Sequence, residues 1–430
     1  MLIDGEFFYR GNALVCEDTD LSGIARIYGT PTYVYSKQAV VSRFRAYRSA
    51  LDGLPHRVCY AVKANSNLAL LSVLAREGAG FDIVSGGELY RVLNVDAPAN
   101  TVVFSGVGKT ETEIRFALQS GIHSFNCESE EEVGQISRIA VQEKLTASIA
   151  VRVNPDVNAV THPYISTGLR EHKFGVDMAQ APEIYSRAAG LPGIVAEGVS
   201  CHIGSQILEA DPLLEAAEKM LSLVKELRSR GLPIRYLDLG GGLGVPYRAS
   251  DTAMPIHAFI ERLRTKLDGL GLTLMLEPGR SIVAEAGVLL TRVLLVKKNG
   301  AKIFVIVDAG MNDLIRPALY QAHHEILPVE RDVLGGGGRM TADVVGPVCE
   351  TGDFFARNRE MPEVKVGDLL AVCTSGAYGF VLASNYNSRP RACELLVSGD
   401  RVHVARERET YADLVRGEHA VALTMGRPAD

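Results

Sequence analysis

Between residues 56 and 286 one pattern repeats eight times: an apolar, β-rich run ends in polar residues, and a helix-like segment follows. The runs are HRVCYAVKA (56–64), GFDIVS (80–85), TVVFSG (101–106), HSFNCES (123–129), SIAVRVNP (148–155), AEGVSCHIG (196–204), IRYLDLGGG (234–242) and LTLMLEPGR (272–280). Between them lie segments such as SNLALLSVLAREG (66–78) and DPLLEAAEKMLSLVKELRSRG (211–231). The second carries apolar residues at i, i+3, i+4 spacing and ends on Gly231, as a capped amphipathic helix does. Strand–helix alternation gives either a (β/α)8 TIM-like barrel or a doubly wound open sheet, and the count of eight favours the barrel.

After about residue 287 the texture changes. GVLLTRVLLVKK, AKIFVIVDAG, DLLAVCTSG, RACELLVSG and RVHVARE are strand-like, with short turns between them. The expected organisation is a barrel over 36–286 and a β-rich (barrel or sandwich) domain over 287–430. Residues 1–35 hold further strand-like pieces, with PTYVYS at their end, whose partner the residues alone do not identify. GGGG at 335–338 has no strand-to-helix context and reads as a surface turn.

Charge and composition narrow the function classes. The net charge is −6 over 430 residues with both signs dispersed, so nothing points to nucleic acid. No apolar run reaches the ~18 residues that span a bilayer. The opening MLIDGEFFYRGN lacks the apolar stretch of a signal peptide, and a cytoplasmic location is expected. Seven cysteines without a CxxC pair read as reduced thiols, mostly small core residues, and no metal site is expected. AHHEI (322–326) lacks metal-binding spacing and reads as packing or solvated histidines.

A barrel works chemically where its strands end. Collected at those ends are Lys63, Asp82, Ser85, Glu128, Arg152, Asn154, His202, Ser205, Gly240, Gly241, Gly242, Glu277 and Arg280. The glycines follow the seventh strand, where this fold usually holds phosphate. Glycine lets backbone N–H groups approach an anion, and EPGR after the eighth strand adds donors beside them. A tight turn is the plainer reading of the glycines alone. Lys63 has two readings as well. It is either an ion-pair partner for Asp82 or Glu128, or an amine whose apolar neighbours lower its pKa and free it for Schiff-base formation. A phosphate site and a Schiff-base lysine on one face point to pyridoxal phosphate.

The motifs YAVKANSN, FDIVSGGEL, HPYISTGLREHKFGV, CHIGSQ, LDLGGGLGVPY, EPGRSIVAEAG, DAGMNDLIRPALYQAHHEI, GPVCETGDFF, SGAYGFVLASNYNSRPR and RETYADLV occur in that order along the chain. Together they resemble the diaminopimelate decarboxylase family, fold-type III pyridoxal-phosphate enzymes of lysine biosynthesis. Single motifs are shared with ornithine and arginine decarboxylases. The departures are Thr351, where serine is commoner in the family, and the GGGG segment.

The resemblance implies a barrel whose second domain includes the N-terminal segment. It implies that Lys63 carries the cofactor, that His202 stacks on its ring and that Glu277 pairs with the ring nitrogen. Ser205, Gly240, Gly241, Gly242, the backbone of Glu277, Pro278, Gly279 and Arg280, and Tyr378 would hold the phosphate. Arg280, Arg316, Tyr320 and Tyr378 would hold the substrate's distal carboxylate. Cys349 and Glu350 would arrive from the other subunit of a homodimer, Cys349 as proton donor and Glu350 as partner of the distal ammonium. Residue chemistry agrees with three of these roles. A carboxylate at the ring nitrogen favours a full electron sink, whereas a racemase would carry arginine there. A thiol is a workable acid near neutral pH, although a lone cysteine is more often a small buried hydrophobe. Paired arginines suit meso-2,6-diaminopimelate, whose distal end keeps both a carboxylate and an ammonium; ornithine or lysine would present only an ammonium.

Overall fold

All eight expected strands form. They are β1 (His56–Ala61), β2 (Gly80–Ile83), β3 (Val102–Phe104), β4 (Ser124–Cys127), β5 (Ala147–Asn154), β6 (Ile194–Ser200), β7 (Tyr236–Asp238) and β8 (Thr273–Leu276). They are seen in a computed structural model that describes residues 5–157, 173–331 and 338–420. Neighbouring strands pair in parallel in chain order, and Leu274 opposite His56 closes the ring. The open-sheet alternative is therefore excluded. Most of the HPYISTGLREHKFGV motif and most of the GGGG segment lie outside the described residues.

The barrel is filled rather than hollow. Cys59, Val103, Ala150 and Tyr236, from β1, β3, β5 and β7, meet inside it with Met275. Alternate strands supply one layer, as the geometry of a closed eight-stranded barrel requires. Tyr236 is the bulky member, and Gly198 of β6 makes room for it. A Cβ at Gly198 would lie 2.0 Å from the tyrosine Cζ. Around the barrel the helices bury one face each. In Asp211–Ser229 the buried residues include Leu213, Ala217, Met220, Leu221, Val224 and Leu227, the i, i+3, i+4 spacing of one helix face. Gly231 follows its C-cap at φ +84°, a conformation that favours glycine.

The second sheet is built on the long strand Gly287–Asn299, which pairs antiparallel with Lys302–Val307, Leu369–Val372 and Thr32–Ser36. Thr32–Ser36 also pairs, in parallel, with Cys393–Ser398. The N-terminal piece PTYVYS is thus an interior strand of the C-terminal sheet, a long-range pairing that no local pattern could reveal. Phe7–Arg10, Ala13–Cys16 and Thr19–Asp20 form a small sheet of their own. Its Phe7, Leu14 and Cys16 pack with Val34, Leu290 and Leu395 of the second sheet.

Arg339–Val345 and Phe354–Pro362 also pair as strands, and sequence reading passed over them. Their register shifts at Ala342/Val344, which breaks the period-two alternation that marks a strand. One buried cluster runs from the barrel strands into Tyr33, Tyr35, Leu289 and Leu370, so the two sheets share a core. Full burial of such side chains contributes about 1.5–3 kcal/mol each. No helix among the described residues is long and apolar enough to cross a membrane.

Candidate active site

A cavity of about 580 Å³ opens at the C-terminal ends of the barrel strands. Lys63, Arg152, His202, Ser205, Arg280, Arg316, Tyr320 and Tyr378 are among the residues lining it. Strand β1 stops at Ala61, and Lys63 stands on the single 3-10 turn Val62–Ala64 that follows. That turn is held from the other domain: Tyr378 N–H donates to Ala64 O at 2.8 Å, and Asn65 Nδ2 donates to Gly376 O at 3.0 Å.

Lys63 Nζ donates to Asp82 Oδ2 at 2.6 Å. Burial pulls the ammonium pKa down, but Asp82, Glu277 and Tyr378 together hold it above the ordinary lysine value. Of the two readings of Lys63, the ion pair with Asp82 forms, and the lowered pKa does not. The neighbours that matter are carboxylates on the next strands, not the apolar residues beside Lys63 in the chain. Asp82 is fully buried, and its Oδ1 has no hydrogen-bond partner among the described residues.

Two further carboxyls stand deeper in the mouth. Asn126 Nδ2 donates to Asp238 Oδ2 at 3.0 Å, to Glu277 Oε1 at 3.1 Å and to Ser105 Oγ at 3.1 Å. Burial raises the pKa of Glu277 well above the ordinary range, with Asp238 and Asp82 adding to it and Lys63 opposing. Burial also raises Asp238, which is partly relieved where Gly240 N–H donates to its Oδ1 at 2.8 Å. Three buried carboxyls therefore face one ammonium. The cluster would be better balanced by a further cation.

The glycine turn is a close-packing device. Gly240 and Gly242 have φ of +66° and +108°, and a Cβ on Gly241 would lie 2.3 Å from the Glu277 carbonyl oxygen. On the β8 side, Ala61 N–H donates to Pro278 O at 3.0 Å, and a Cβ on Gly279 would lie 2.9 Å from Ala64 Cβ. These contacts press the loops after β7 and β8 against His202 and the Lys63 turn. Burial, then Arg152 and Lys63, lower the His202 pKa well below the ordinary histidine value, so the ring is neutral near pH 7. Gly241 N–H points at its Nδ1 from 3.4 Å.

Opposite Lys63 lies a cationic corner. Arg280 Nη2 donates to Ser205 Oγ at 3.0 Å and Nη1 donates to Tyr247 Oη at 2.7 Å. Its Cζ lies 4.8 Å from the Tyr378 ring centroid. Arg316 stacks on the Tyr247 ring at 4.5 Å and donates to His324 Nε2 at 2.9 Å. Both arginines are buried, and neither has a carboxylate within ion-pairing distance among the described residues. Arg152 in the same cavity differs, being paired with Glu128 at 3.0 Å.

Residues 37–284 match the family model described as "Pyridoxal-dependent decarboxylase, pyridoxal binding domain". The diaminopimelate decarboxylase of Pseudomonas fluorescens is 53% identical over 415 residues, covering 96% of this chain and 98% of that one. The diaminopimelate decarboxylase of Aquifex aeolicus is 48% identical, covering 95% of this chain and 96% of its own. Among solved structures, a diaminopimelate decarboxylase from Helicobacter pylori complexed with L-lysine superposes with a TM-score of 0.88. It is 43% identical and covers 92% of this chain and 98% of that one.

The chain belongs to the diaminopimelate decarboxylase family.

The cofactor of this family of pyridoxal-dependent decarboxylases fits the residues present. A lysine suits its aldehyde, and a buried carboxyl cluster short of positive charge suits a protonated ring nitrogen. A glycine turn beside Ser205 and Arg280 suits its phosphate. Of the expected residues, Lys63, His202, Ser205, Arg280, Arg316, Tyr320 and Tyr378 line the cavity, while Gly240, Gly241, Gly242, Glu277, Pro278 and Gly279 lie in the segments that follow β7 and β8. Cys349 and Glu350 do not line the cavity of their own chain. Both are exposed, and Cys349 N–H donates to Asn387 Oδ1 at 2.8 Å. The other six cysteines are buried, as small core residues should be.

Some strand-end residues serve the framework. Ser85 caps the helix Gly86–Leu93, and Asn154 Nδ2 donates to Phe174 O at 2.6 Å. His324 of AHHEI is fully buried, while His323 Nε2 lies 3.0 Å from Glu325 Oε1. Sequence reasoning missed Ser105, Asn126, Asp238, Tyr247 and His324 as members of the site. For Asn126 and Asp238 the available signal was a polar residue set within an apolar strand, where burial demands a partner.

Proposed function

We propose that this protein decarboxylates meso-2,6-diaminopimelate to L-lysine and CO2, the last step of lysine biosynthesis, in the cytoplasm and as a homodimer. The supporting observation is one cavity that joins Lys63, beside the Glu277 cluster, to two buried arginines without a carboxylate partner among the described residues. Bound pyridoxal phosphate supplies the electron sink that makes loss of CO2 possible.

The chain's own residues set the conditions for that chemistry. Lys63 holds the cofactor's aldehyde carbon, and Asp82 fixes the direction of its Nζ. Neutral His202 offers a flat face for the ring without competing for its charge. Glu277, backed by Asn126 and Asp238, keeps a proton on the ring nitrogen, because an ionised buried carboxylate gains most from a cation beside it. Arginine at that position would remove this proton, so the residue type favours decarboxylation over racemisation.

Ser205, the glycines and Arg280 hold the phosphate. Arg316, with Arg280, Tyr320 and Tyr378, receives the distal carboxylate. Cys349 and Glu350 of a second subunit complete the site, the thiol delivering a proton to the carbon that lost CO2 and the carboxylate holding the distal ammonium. Exposure of both on their own chain supports this arrangement.

The test is CO2 release from meso-diaminopimelate, L-ornithine, L-lysine and L-arginine, measured side by side. The expected result is turnover of diaminopimelate in clear preference to the other three. A higher kcat/KM on any of those would overturn the substrate assignment.

A further inference from the structure

Among the described residues, the side-chain hydrogen bonds of the two cavity arginines go to neutral groups: Ser205 and Tyr247 for Arg280, and His324 for Arg316. The His324 contact carries the most information. Its Nδ1 lies 2.8 Å from the carbonyl oxygen of Cys373, and its Nε2 lies 2.9 Å from Arg316 Nη1. A carbonyl oxygen only accepts and a guanidinium only donates. Both bonds form together only if Nδ1 carries the proton and Nε2 offers its lone pair. The ring is then neutral.

The surroundings agree with that state. His324 is fully buried, with the Tyr247 ring 5.3 Å away, edge to face. The charged or titratable neighbours around it include Arg316, Arg280 and His323, and Arg359, whose Nη1 donates to the His324 carbonyl oxygen at 3.0 Å. A second proton would add a cation next to two buried guanidiniums. A carboxylate at the same place would accept equally well from Arg316 but would cancel its charge, as Glu128 does for Arg152. Histidine meets both needs: it fixes the direction of the guanidinium and leaves its charge to the ligand.

We propose that His324 is the positioning residue for distal-carboxylate recognition, orienting Arg316 through a neutral acceptor so that Arg316 keeps its positive charge for the substrate. The proposal rests on the functional reading above, in which Arg316 meets the distal carboxylate. It predicts that the identity of residue 324 governs affinity for ligands carrying that carboxylate and leaves other ligands and cofactor loading alone.

The test compares His324→Gln, His324→Leu and His324→Glu in the holoenzyme, with thermal melting and visible cofactor absorbance recorded for each. Binding of L-lysine and of 1,5-diaminopentane, which lacks the carboxylate, is measured by calorimetry. Steady-state kinetics use meso-diaminopimelate. Glutamine can accept from Arg316 while staying neutral, and it should keep L-lysine affinity within about threefold of wild type. Leucine and glutamate should each weaken L-lysine binding and raise KM by about tenfold or more, with kcat within about threefold. Affinity for 1,5-diaminopentane should not follow that trend.

The proposal is overturned if His324→Gln fails to fold or loses as much L-lysine affinity as His324→Leu. It is overturned equally if folded, cofactor-loaded His324→Glu binds L-lysine like wild type. If wild type releases no CO2 from diaminopimelate, the functional reading fails instead, and the calorimetric comparison still decides the role of His324.

Discussion

Asp82 Oδ2 lies 2.6 Å from Lys63 Nζ, so the candidate nucleophile of this barrel is the exposed half of an ion pair whose carboxylate is buried. The side chain of Lys63 is 38% exposed toward the cavity while that of Asp82 is 0% exposed. The amine is therefore reachable, and its counter-charge is fixed in the wall. Lys63→Ala should abolish the visible absorbance of lysine-bound cofactor and lower kcat/KM by about 1000-fold or more. Asp82→Asn removes the carboxylate that raises the amine's pKa. The rate at which apoprotein captures pyridoxal phosphate should then reach its plateau at lower pH, as followed by absorbance. An unchanged pH profile would remove Asp82 from control of the amine.

Glu277→Gln keeps the Asn126 contact in shape but cannot balance a protonated ring nitrogen. Cofactor should still bind, and kcat should fall by about 100-fold. Equilibrium dialysis for cofactor, alongside single-turnover decarboxylation, separates the two effects. Equal loss of binding and turnover would argue that Glu277 is chiefly structural.

Gly241→Ala places a methyl group where only 2.3 Å separates the new Cβ from the Glu277 carbonyl oxygen. The obstacle is backbone and cannot rotate away. The loops after β7 and β8 must separate, costing about 3 kcal/mol by analogy with overpacked cores. Denaturant melts of the apoprotein should show the loss, and cofactor affinity should fall with it.

Cys349→Ala should be inactive although Cys349 lies outside its own chain's cavity. If its thiol serves a partner's site, mixing inactive Lys63→Ala and Cys349→Ala subunits should regenerate activity. Half the dimers are then hybrids with one intact site of two, giving about a quarter of the wild-type rate. A mixture that stays inactive after subunit exchange, confirmed by native mass spectrometry, would place Cys349 outside the shared chemistry.

Glu409 ties Arg391 to Asn385, accepting from Arg391 Nε at 2.7 Å and Asn385 Nδ2 at 2.7 Å. Burial acts to raise its pKa, but the bonds from Arg391 and Asn385 win and bring it to about 2. Because the folded pKa is depressed, the stability it contributes is present above the unfolded value of about 4.3. That contribution is lost as pH falls toward 2. Screening by solvent keeps it to about 1 kcal/mol. Glu409→Gln should therefore lower the melting temperature at pH 6, and the gap to wild type should close near pH 2. A gap that persists there would mean packing, not charge, is what Glu409 supplies.

Much of the site was legible because barrel chemistry is written at strand ends. The run ending at Lys63, the glycines after β7 and EPGR after β8 are local strings whose spacing survives folding unchanged. Cys349 and Glu350 were singled out by the family resemblance alone, and neither lines the cavity of its own chain. Asn126, Asp238 and His324 were not legible as site members, since each resembles an ordinary strand or loop residue until its partners are known.

What this sequence determines by itself is the alternation of eight strand–helix units and the residue types at their ends, because both follow from local periodicity and side-chain chemistry. Closure of the ring was decided in three dimensions, where Leu274 of β8 meets His56 of β1 across more than half the chain. So was the insertion of Thr32–Ser36 into the C-terminal sheet. The charge state of Lys63 was decided there too. A pKa depends on charges within a few ångströms in space, and the nearest carboxylate, Asp82, belongs to the neighbouring strand.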